Sequence, residues 1–182
     1  MATKFVGLDL GTHSVKVCEV VTTLRNFELV GFGSEIIDCP LDEKPTFEQL
    51  AQTANTLLKR RGLLNETIIC SLPPGLSATV RVELPFSQPK KIAGVLPGEL
   101  DELIALEVED VIYDYQIIEK KEVGVTLLCA YMRRDVLGEI LAALQAEGID
   151  PKRVCLGPLT NFNLYDYLIG QDTRFGVALL DL

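Results

Sequence analysis

The residues most suited to chemistry lie near the amino terminus, in the run Asp9-Leu10-Gly11-Thr12-His13-Ser14-Val15-Lys16. Gly11 lets a ligand approach the backbone closely, and the hydroxyls of Thr12 and Ser14 can donate hydrogen bonds to an anion. Lys16 adds a positive charge just beyond them. Together these residue types are typical of a turn that binds phosphate.

Asp9 stands where an apolar run meets this turn, and its carboxylate can hold Mg²⁺ through a water molecule beside a phosphate. Two alternatives remain open from the residues alone. Asp9 and Lys16 can pair with each other, or the whole run can be an ordinary surface hairpin. His13 has no partner acid or nucleophile nearby in the sequence, so we interpret it as a turn residue without a catalytic role.

Apolar, β-branched runs on both sides of the turn predict a β-hairpin that carries these residues at its tip. A third strand is predicted at residues 26–35. Thr46-Phe47-Glu48-Gln49 forms a capping box that begins a helix, and Gly62 ends this helix. A short buried strand at Thr67–Leu72 completes the order β-β-β-α-β.

Pro73-Pro74-Gly75 interrupts this pattern and indicates a domain boundary. We predict that residues 79–148 form a separate α+β subdomain of order β-α-β-β-α. Within it, Pro97-Gly98 is expected to kink or split the first helix. Asp135 is expected to cap the last helix.

The chain then returns to the first unit. Residues 1–78 and 149–182 are therefore predicted to form one α/β lobe, which ends in an apolar strand at residues 177–182. An apolar run followed by aspartate occurs both here and at Asp9.

The composition excludes several classes of function. The net charge of −9 argues against nucleic acid as a partner. Five scattered cysteines without a C-x-x-C pair, and a single histidine, argue against a zinc site and for reduced thiols in a cytoplasmic protein. We expect no signal peptide. We also expect no membrane span, because no apolar run approaches the length of about 18–20 residues that a span needs.

The run Asp9-Leu10-Gly11-Thr12, with Ser14 and Lys16, resembles the first phosphate motif of the actin-like ATPase superfamily. Leu180-Asp181-Leu182 is similar to the start of the second such motif. The resemblance implies an actin-like, ribonuclease H-like α/β lobe, in which ATP with Mg²⁺ is held between two halves. The second lobe would be missing from this chain.

The middle of the chain resembles the subdomain inserted in the pilus assembly protein family PilM and the division protein family FtsA. It is most similar to PilM and to the type II secretion family GspL. His13 departs from the small residue usual in these relatives. The segments that carry this resemblance are Leu84-Pro85-Phe86, Pro89-Lys90-Lys91-Ile92, Val95-Leu96-Pro97, Glu109-Asp110-Val111, Tyr113-Asp114-Tyr115-Gln116, residues 142–148 and residues 158–164.

The resemblance implies a nucleotide-binding cytoplasmic scaffold in the inner-membrane assembly platform of a type II secretion or type IV pilus system. The implied partners are the assembly ATPase and the cytoplasmic tail of a bitopic membrane protein, taken as an extended peptide between the lobe and the subdomain. A homodimer is also compatible with it. The implied ATP·Mg ligands are Asp9 (through water), Gly11, Thr12, His13, Ser14 and Lys16.

Two alternatives stay open: a small-molecule kinase of the actin-like superfamily and an FtsA-like, filament-forming division protein. A kinase needs a general base near the γ-phosphate, and no candidate stands out. We therefore expect a scaffold rather than an enzyme. Because this chain is expected to supply one wall of the ATP site, it should bind ATP·Mg weakly or not at all and hydrolyse none.

Overall fold

The computed structural model describes residues 3–40 and 42–168, which form eight strands and four helices. The strands are β1 (Thr3–Leu10), β2 (Ser14–Thr22), β3 (Phe27–Ile36), β4 (Thr67–Leu72), β5 (Ser77–Leu84), β6 (Val111–Lys120), β7 (Val125–Arg133) and β8 (Arg153–Leu156). The helices are α1 (Phe47–Arg61), α2 (Pro89–Leu103), α3 (Arg134–Ala146) and α4 (Gly157–Leu168), with a 3-10 turn at Val108–Asp110.

Five strands form one mixed sheet in the order β3-β2-β1-β4-β8. The strands β1, β2 and β3 pair antiparallel, as the predicted hairpin and third strand require. In contrast, β4 pairs parallel with β1, and β8 pairs parallel with β4. The carboxyl ends of β1, β4 and β8 therefore meet at one edge of the sheet, beside the tip of the β1–β2 hairpin.

Alternation of side chains gives this sheet its buried face. Leu8, Leu10 and Val17 all lie on that face and are almost fully buried. Helix α1 packs against β1, β2 and β3 and buries Leu57 and Leu58 completely. Each such side chain stabilises the fold by about 1.5–3 kcal/mol relative to exposure, so this packing fixes the hairpin in place.

The ends of α1 are as predicted. Thr46 accepts a hydrogen bond from the Gln49 amide, and the Gln49 side chain accepts one from the Thr46 amide. Gly62 adopts a left-handed conformation with φ of 70° and ends the helix. These local signals set both the start and the length of α1.

An ion cluster that the sequence analysis did not predict joins α1 to the sheet. Glu19 lies on the buried face of β2 and is only 8% exposed. Its carboxylate accepts from Lys4 Nζ at 2.7 Å and from Arg61 Nη2 at 2.5 Å. The Lys4 and Arg61 hydrogen bonds lower the pKa of Glu19 below its ordinary value of 4.5. The buried carboxylate of Glu19 is tolerated on this face because it forms ion pairs with both Lys4 and Arg61.

Gly31 on β3 makes room for this cluster. A Cβ atom at Gly31 would lie 2.8 Å from Glu19 Oε1 and 2.9 Å from Arg61 Nη2. The neighbouring Arg60 also turns to β3, where it pairs with Glu35 at 2.6 Å. Cations suit the C-terminal end of a helix, and two of those in the last turn of α1 also have partners on the sheet.

The remaining three strands form a second sheet in the order β5-β7-β6. Val82 and Leu84 on β5 are buried and Val80 is partly buried, whereas Arg81 and Glu83 are exposed, so alternate side chains of this strand face the core. Tyr113 and Tyr115 on β6 are partly buried and pack against the core of this unit. The full set of buried residues in this core is Val82, Leu84, Ile92, Leu96, Leu100, Ile104, Val111, Val125, Leu127 and Cys129.

Of the two outcomes predicted for Pro97-Gly98, a split of the helix is wrong, because α2 runs unbroken from Pro89 to Leu103 with Pro97 inside it. A kink at this point stays a prediction. A proline inside a helix costs about 3 kcal/mol. However, Ile92, Leu96 and Leu100 are almost fully buried on one stripe of α2. Their burial exceeds the cost of the proline and keeps the helix continuous.

Two further predictions needed correction. Asp135 does not precede the last helix of the subdomain, because α3 begins at Arg134 and Asp135 lies in its first turn. There its carboxylate pairs with Arg133 and accepts from the Val136 amide. The second strand of the subdomain was predicted at residues 111–118, with a turn at residues 119–123, but β6 continues to Lys120 and the turn is shorter.

The described part of the chain divides into two compact units, one formed by the residues up to Pro74 together with Leu141–Leu168, the other by Gly75–Ile140. Val6 lies in the five-stranded sheet and Val80 and Val111 in the three-stranded sheet. The boundaries expected after residues 78 and 148 stay a prediction. The strand expected at residues 177–182 lies outside the described residues.

The five cysteines are free thiols. Burial raises the pKa of Cys70 to about 12 and that of Cys129 to about 11, so these two remain protonated and unreactive at neutral pH. Within residues 3–40 and 42–168, no helix has the length and apolar character needed to cross a membrane.

We predict that Glu19→Gln lowers the free energy of unfolding at pH 7 by about 1–3 kcal/mol, because Lys4 and Arg61 lose the charge between them. The folded-state pKa of Glu19 is lowered, so its contribution is present above about pH 4.5 and is lost as the pH falls through that folded-state value. Urea unfolding followed by circular dichroism at several pH values measures this difference.

Glu28→Gln on the exposed strand β3 is the matched control, with little expected change. An equal loss of stability in both variants, or a Glu19→Gln difference that stays constant into strong acid, would contradict the role given to the cluster.

Candidate functional site

The tip of the β1–β2 hairpin is held by two backbone hydrogen bonds. The Gly11 amide donates to the Ser14 carbonyl at 3.2 Å. The Ile37 amide, just after β3, donates to the His13 carbonyl at 3.0 Å. A Cβ atom at Gly11 would lie 2.7 Å from the Ser14 carbonyl oxygen, so only glycine fits this turn without a shift. The tip is thus a defined backbone structure.

The polar side chains predicted for the turn are gathered at this tip. Thr12 and Ser14 are half-buried, while His13 is exposed. The Thr12 hydroxyl and His13 Nδ1 are hydrogen-bonded at 2.9 Å, with the donor set by the histidine tautomer. This contact joins His13 to the turn itself, which fits its interpretation as a turn residue.

Asp9 and Lys16 face each other across the hairpin, as one of the open alternatives required. Lys16 Nζ lies 3.7 Å from Asp9 Oδ2. The Lys16 side chain is 58% exposed and the Asp9 side chain is 45% exposed. Exposed pairs of this kind contribute little to stability, at most about 1 kcal/mol. The pair therefore keeps a carboxylate and an ammonium group together at the tip, and either can turn to a ligand at small cost.

The carboxyl ends of the parallel strands extend this site. Ser71 on β4 is the register partner of Asp9 on β1, and Cys155 on β8 is the register partner of Ser71. Helix α4 begins at Gly157, directly after β8. The hairpin tip, Ser71 and the first turn of α4 therefore share one edge of the sheet. In open α/β sheets this is the edge where ligands bind.

Sequence reasoning missed Ser71. The hydroxyl oxygen of Ser71 is enclosed by the protein and has no hydrogen-bond partner. In the sequence, Ser71 stands in an apolar run that predicts only a short buried strand. Its one signal was an isolated hydroxyl residue close to the carboxyl end of that strand.

The donor set suits phosphate with Mg²⁺ better than a metal bound directly by protein. No group of three histidine, cysteine or acidic side chains able to hold a metal occurs in the described part of the chain. Asp9 provides one carboxylate, and Mg²⁺ commonly binds proteins through one or two carboxylates, with water and phosphate as its other ligands. The tight turn at Gly11 and the unpaired Ser71 hydroxyl are consistent with a small polar ligand at this edge.

Comparison with known proteins identifies the fold. Neither the family models nor the curated proteins include a match to this chain. Among solved structures, a chain of a PilM–PilN type IV pilus biogenesis complex matches 93% of it with a TM-score of 0.76 and 19% sequence identity. The chain has an actin-like fold of the PilM and GspL type. The predicted fold class is confirmed.

A second solved structure agrees. The cytoplasmic domain of EpsL, an inner-membrane component of the type II secretion system of Vibrio cholerae, matches 85% of the chain with a TM-score of 0.55 and 21% identity. The chain spans 52% of the first neighbour and 57% of the second. It therefore covers little more than half the length of these proteins.

We predict that Gly11→Ala destabilises the protein by about 1–3 kcal/mol, because the new Cβ forces the Ser14 carbonyl away and loosens the hairpin tip. Thermal unfolding by circular dichroism measures the effect. Gly94→Ala in α2 is the control, since nothing lies within 4 Å of a Cβ there. Helix propensity should make this control more stable by about 0.5–1 kcal/mol. A neutral Gly11→Ala would show that the tip adapts freely.

Proposed function

We propose that this chain belongs to a nucleotide-binding cytoplasmic scaffold in the inner-membrane assembly platform of a type IV pilus or type II secretion system. The observation that carries the proposal is the match of 93% of the chain, including both sheets, to a chain of the PilM–PilN complex. The match to the EpsL cytoplasmic domain supports the same assignment. The two systems remain alternatives within one proposal.

The proposed nucleotide site is the hairpin tip. Backbone amides and hydroxyls between Gly11 and Ser14 would bind phosphate oxygens, and Lys16 would neutralise part of their charge. Asp9 would hold Mg²⁺ through water, and the bound ion would supply the positive charge that keeps the phosphates at the site. The exposed His13 side chain would contact the phosphate at the periphery of the turn and would have no catalytic role.

A scaffold accounts for the described residues better than an enzyme does. Hydrolysis or phosphoryl transfer requires a group that orients the nucleophile at the γ-phosphate. Asp9 is the only acidic residue at the described hairpin tip, and it is assigned to Mg²⁺. In this proposal nucleotide binding therefore stabilises a conformation that partners recognise.

The proposed partner is the extended cytoplasmic tail of a bitopic membrane protein, with the assembly ATPase as a further partner. Extended peptides can add a strand to an exposed sheet edge. Strand β3 is one edge of the five-stranded sheet, and its Phe32 is 77% exposed. Strand β6 is an edge of the three-stranded sheet, and its Ile118 is 46% exposed. Both edges suit an apolar tail of low charge.

We predict that the 182-residue chain binds ATP·Mg weakly or not at all and does not hydrolyse it, whereas the full-length protein binds it. An actin-like site takes its adenine pocket and second wall from the other half, and without these the charges stay exposed to water. Isothermal titration calorimetry on both proteins measures this. In the full-length protein, Asp9→Ala and Lys16→Ala should each weaken binding at least tenfold.

Lys59→Ala, which removes an exposed cation from α1, is the control and should bind as the wild type does. Sub-micromolar binding by the 182-residue chain would overturn the half-site argument. Unchanged binding in Asp9→Ala and Lys16→Ala would remove the site from the hairpin tip. Phosphoryl transfer to a small molecule in a substrate screen would favour the kinase alternative instead.

We also predict that the protein retains the cytoplasmic tail of its neighbouring bitopic membrane protein in a pull-down. Phe32→Asp and Ile118→Asp place a charge on β3 and β6 respectively, so the variant that loses the tail identifies the edge used. Leu24→Asp, in the β2–β3 turn, is the control because Leu24 is 98% exposed and lies outside both strands. No retention by folded wild-type protein would contradict the partner assignment.

A further inference from the structure

Two enclosed side-chain atoms of the described residues have no hydrogen-bond partner, Ser71 Oγ on β4 and Asn55 Oδ1 on α1. Ser71 Oγ is buried and has no hydrogen-bond partner in the described structure. A buried polar atom of this kind loses its hydrogen bonds to water without replacement, so native proteins rarely retain one without a reason. Ser14, the serine of the hairpin, is not among these enclosed atoms.

The position of Ser71 suggests that reason. Ser71 and Asp9 are register partners on adjacent parallel strands, so their side chains leave the same face of the sheet side by side. The Asp9 carboxylate contacts Lys16 at 3.7 Å, which is longer than a hydrogen bond. An acceptor with spare capacity thus lies next to a donor with no acceptor.

The other side of Ser71 offers no competing partner. Cys155, its register partner on β8, makes no hydrogen bond to the hydroxyl. Gly157 has no side chain, and even an added Cβ there would lie 3.5 Å from Ser71 Oγ, an ordinary contact. Of the two register partners of Ser71, Asp9 is therefore the one whose side chain carries a strong acceptor.

We propose that Ser71 is a positioning residue for Asp9, an inference that rests on the proposed nucleotide site. When Asp9 leaves Lys16 to hold the Mg²⁺-bound water, its carboxylate accepts a hydrogen bond from Ser71 Oγ. Lys16 is then released to the phosphates. A hydroxyl that donates to a charged carboxylate forms one of the stronger hydrogen bonds in proteins, so it can fix the rotamer of Asp9.

In this role the Ser71 hydroxyl contributes to ligand binding, whereas a structural serine contributes to the stability of the fold. A structural serine stabilises the fold through hydrogen bonds to the protein itself, whereas Ser71 Oγ has no such partner among the described residues. Its hydrogen bond forms only with the ligand. Removal of the hydroxyl should therefore weaken Mg²⁺-dependent binding without lowering the unfolding temperature.

The test uses the full-length protein with Ser71→Ala and Ser71→Thr. Titration calorimetry with ATP·Mg should show about tenfold weaker binding for Ser71→Ala, and Ser71→Thr, which keeps a hydroxyl, should recover most of it. With ATP in the presence of EDTA, wild type and Ser71→Ala should bind alike. Ser77→Ala, at another half-buried strand serine, is the matched control and should match wild type.

A double-mutant cycle with Asp9→Asn makes the link to Asp9 explicit. Because Ser71 acts through the Asp9 carboxylate, Ser71→Ala should add no further loss of ATP·Mg affinity in an Asp9→Asn background. Additive losses would show that Ser71 acts independently of Asp9 and would overturn the proposal.

The remaining outcomes separate this inference from the proposed function. If wild type binds ATP·Mg and Ser71→Ala binds equally well, the inference is wrong and the nucleotide site stands. If wild type does not bind, both fail. If the unfolding temperature of Ser71→Ala drops by several degrees in the absence of ligand, Ser71 is a structural residue and the inference is wrong.

Discussion

The pairing of β1 on both of its edges is the constraint on which the rest of the structure depends. One edge pairs antiparallel with β2 and so creates the hairpin tip. The other edge pairs parallel with β4 and so aligns the carboxyl ends of the two strands. Asp9 belongs to both registers, opposite Lys16 on one side and Ser71 on the other. A slip of one residue in either pairing would turn Asp9 to the helix-covered face.

Helix α1 holds this arrangement from the opposite face. Its apolar stripe buries Leu57 and Leu58 against the sheet, and Arg61 reaches past Gly31 to Glu19. The contacts are of two kinds, since apolar packing provides most of the energy and the ion cluster fixes how the helix C-terminus lies on β2 and β3. The hairpin tip therefore extends from a sheet whose strands are held in position by α1.

Local signals predicted much of this from the sequence. Alternation gave the strands, the Thr46 capping box and Gly62 gave the ends of α1, and residue types at the turn indicated Asp9 and Lys16 as neighbours. Effects between distant segments were not predictable in the same way. The position of Ser71 beside Asp9 follows from a parallel pairing across the sequence.

Glu19 and Pro97 illustrate the same limit. The partner Arg61 of Glu19 lies on a different element, so a charged residue in an apolar alternation gave no sign of how it would be neutralised. Pro97 was expected to kink or split a helix because proline disrupts the local hydrogen bonds, but burial of Leu96 and Leu100 kept the helix from splitting. In both cases a tertiary contact decided the result.

The parallel pairings also determine when the site can exist during biosynthesis. The hairpin and β3 are contiguous in sequence and pair through short loops, which form fast. Strand β8 joins β4 only after the whole of the second unit has been made, and α4 follows it. On the ribosome the hairpin tip emerges early, whereas the edge that surrounds Asp9 and Ser71 is complete only after residue 157 has left the exit tunnel. Until then, a nascent chain carries an incomplete edge around the hairpin tip.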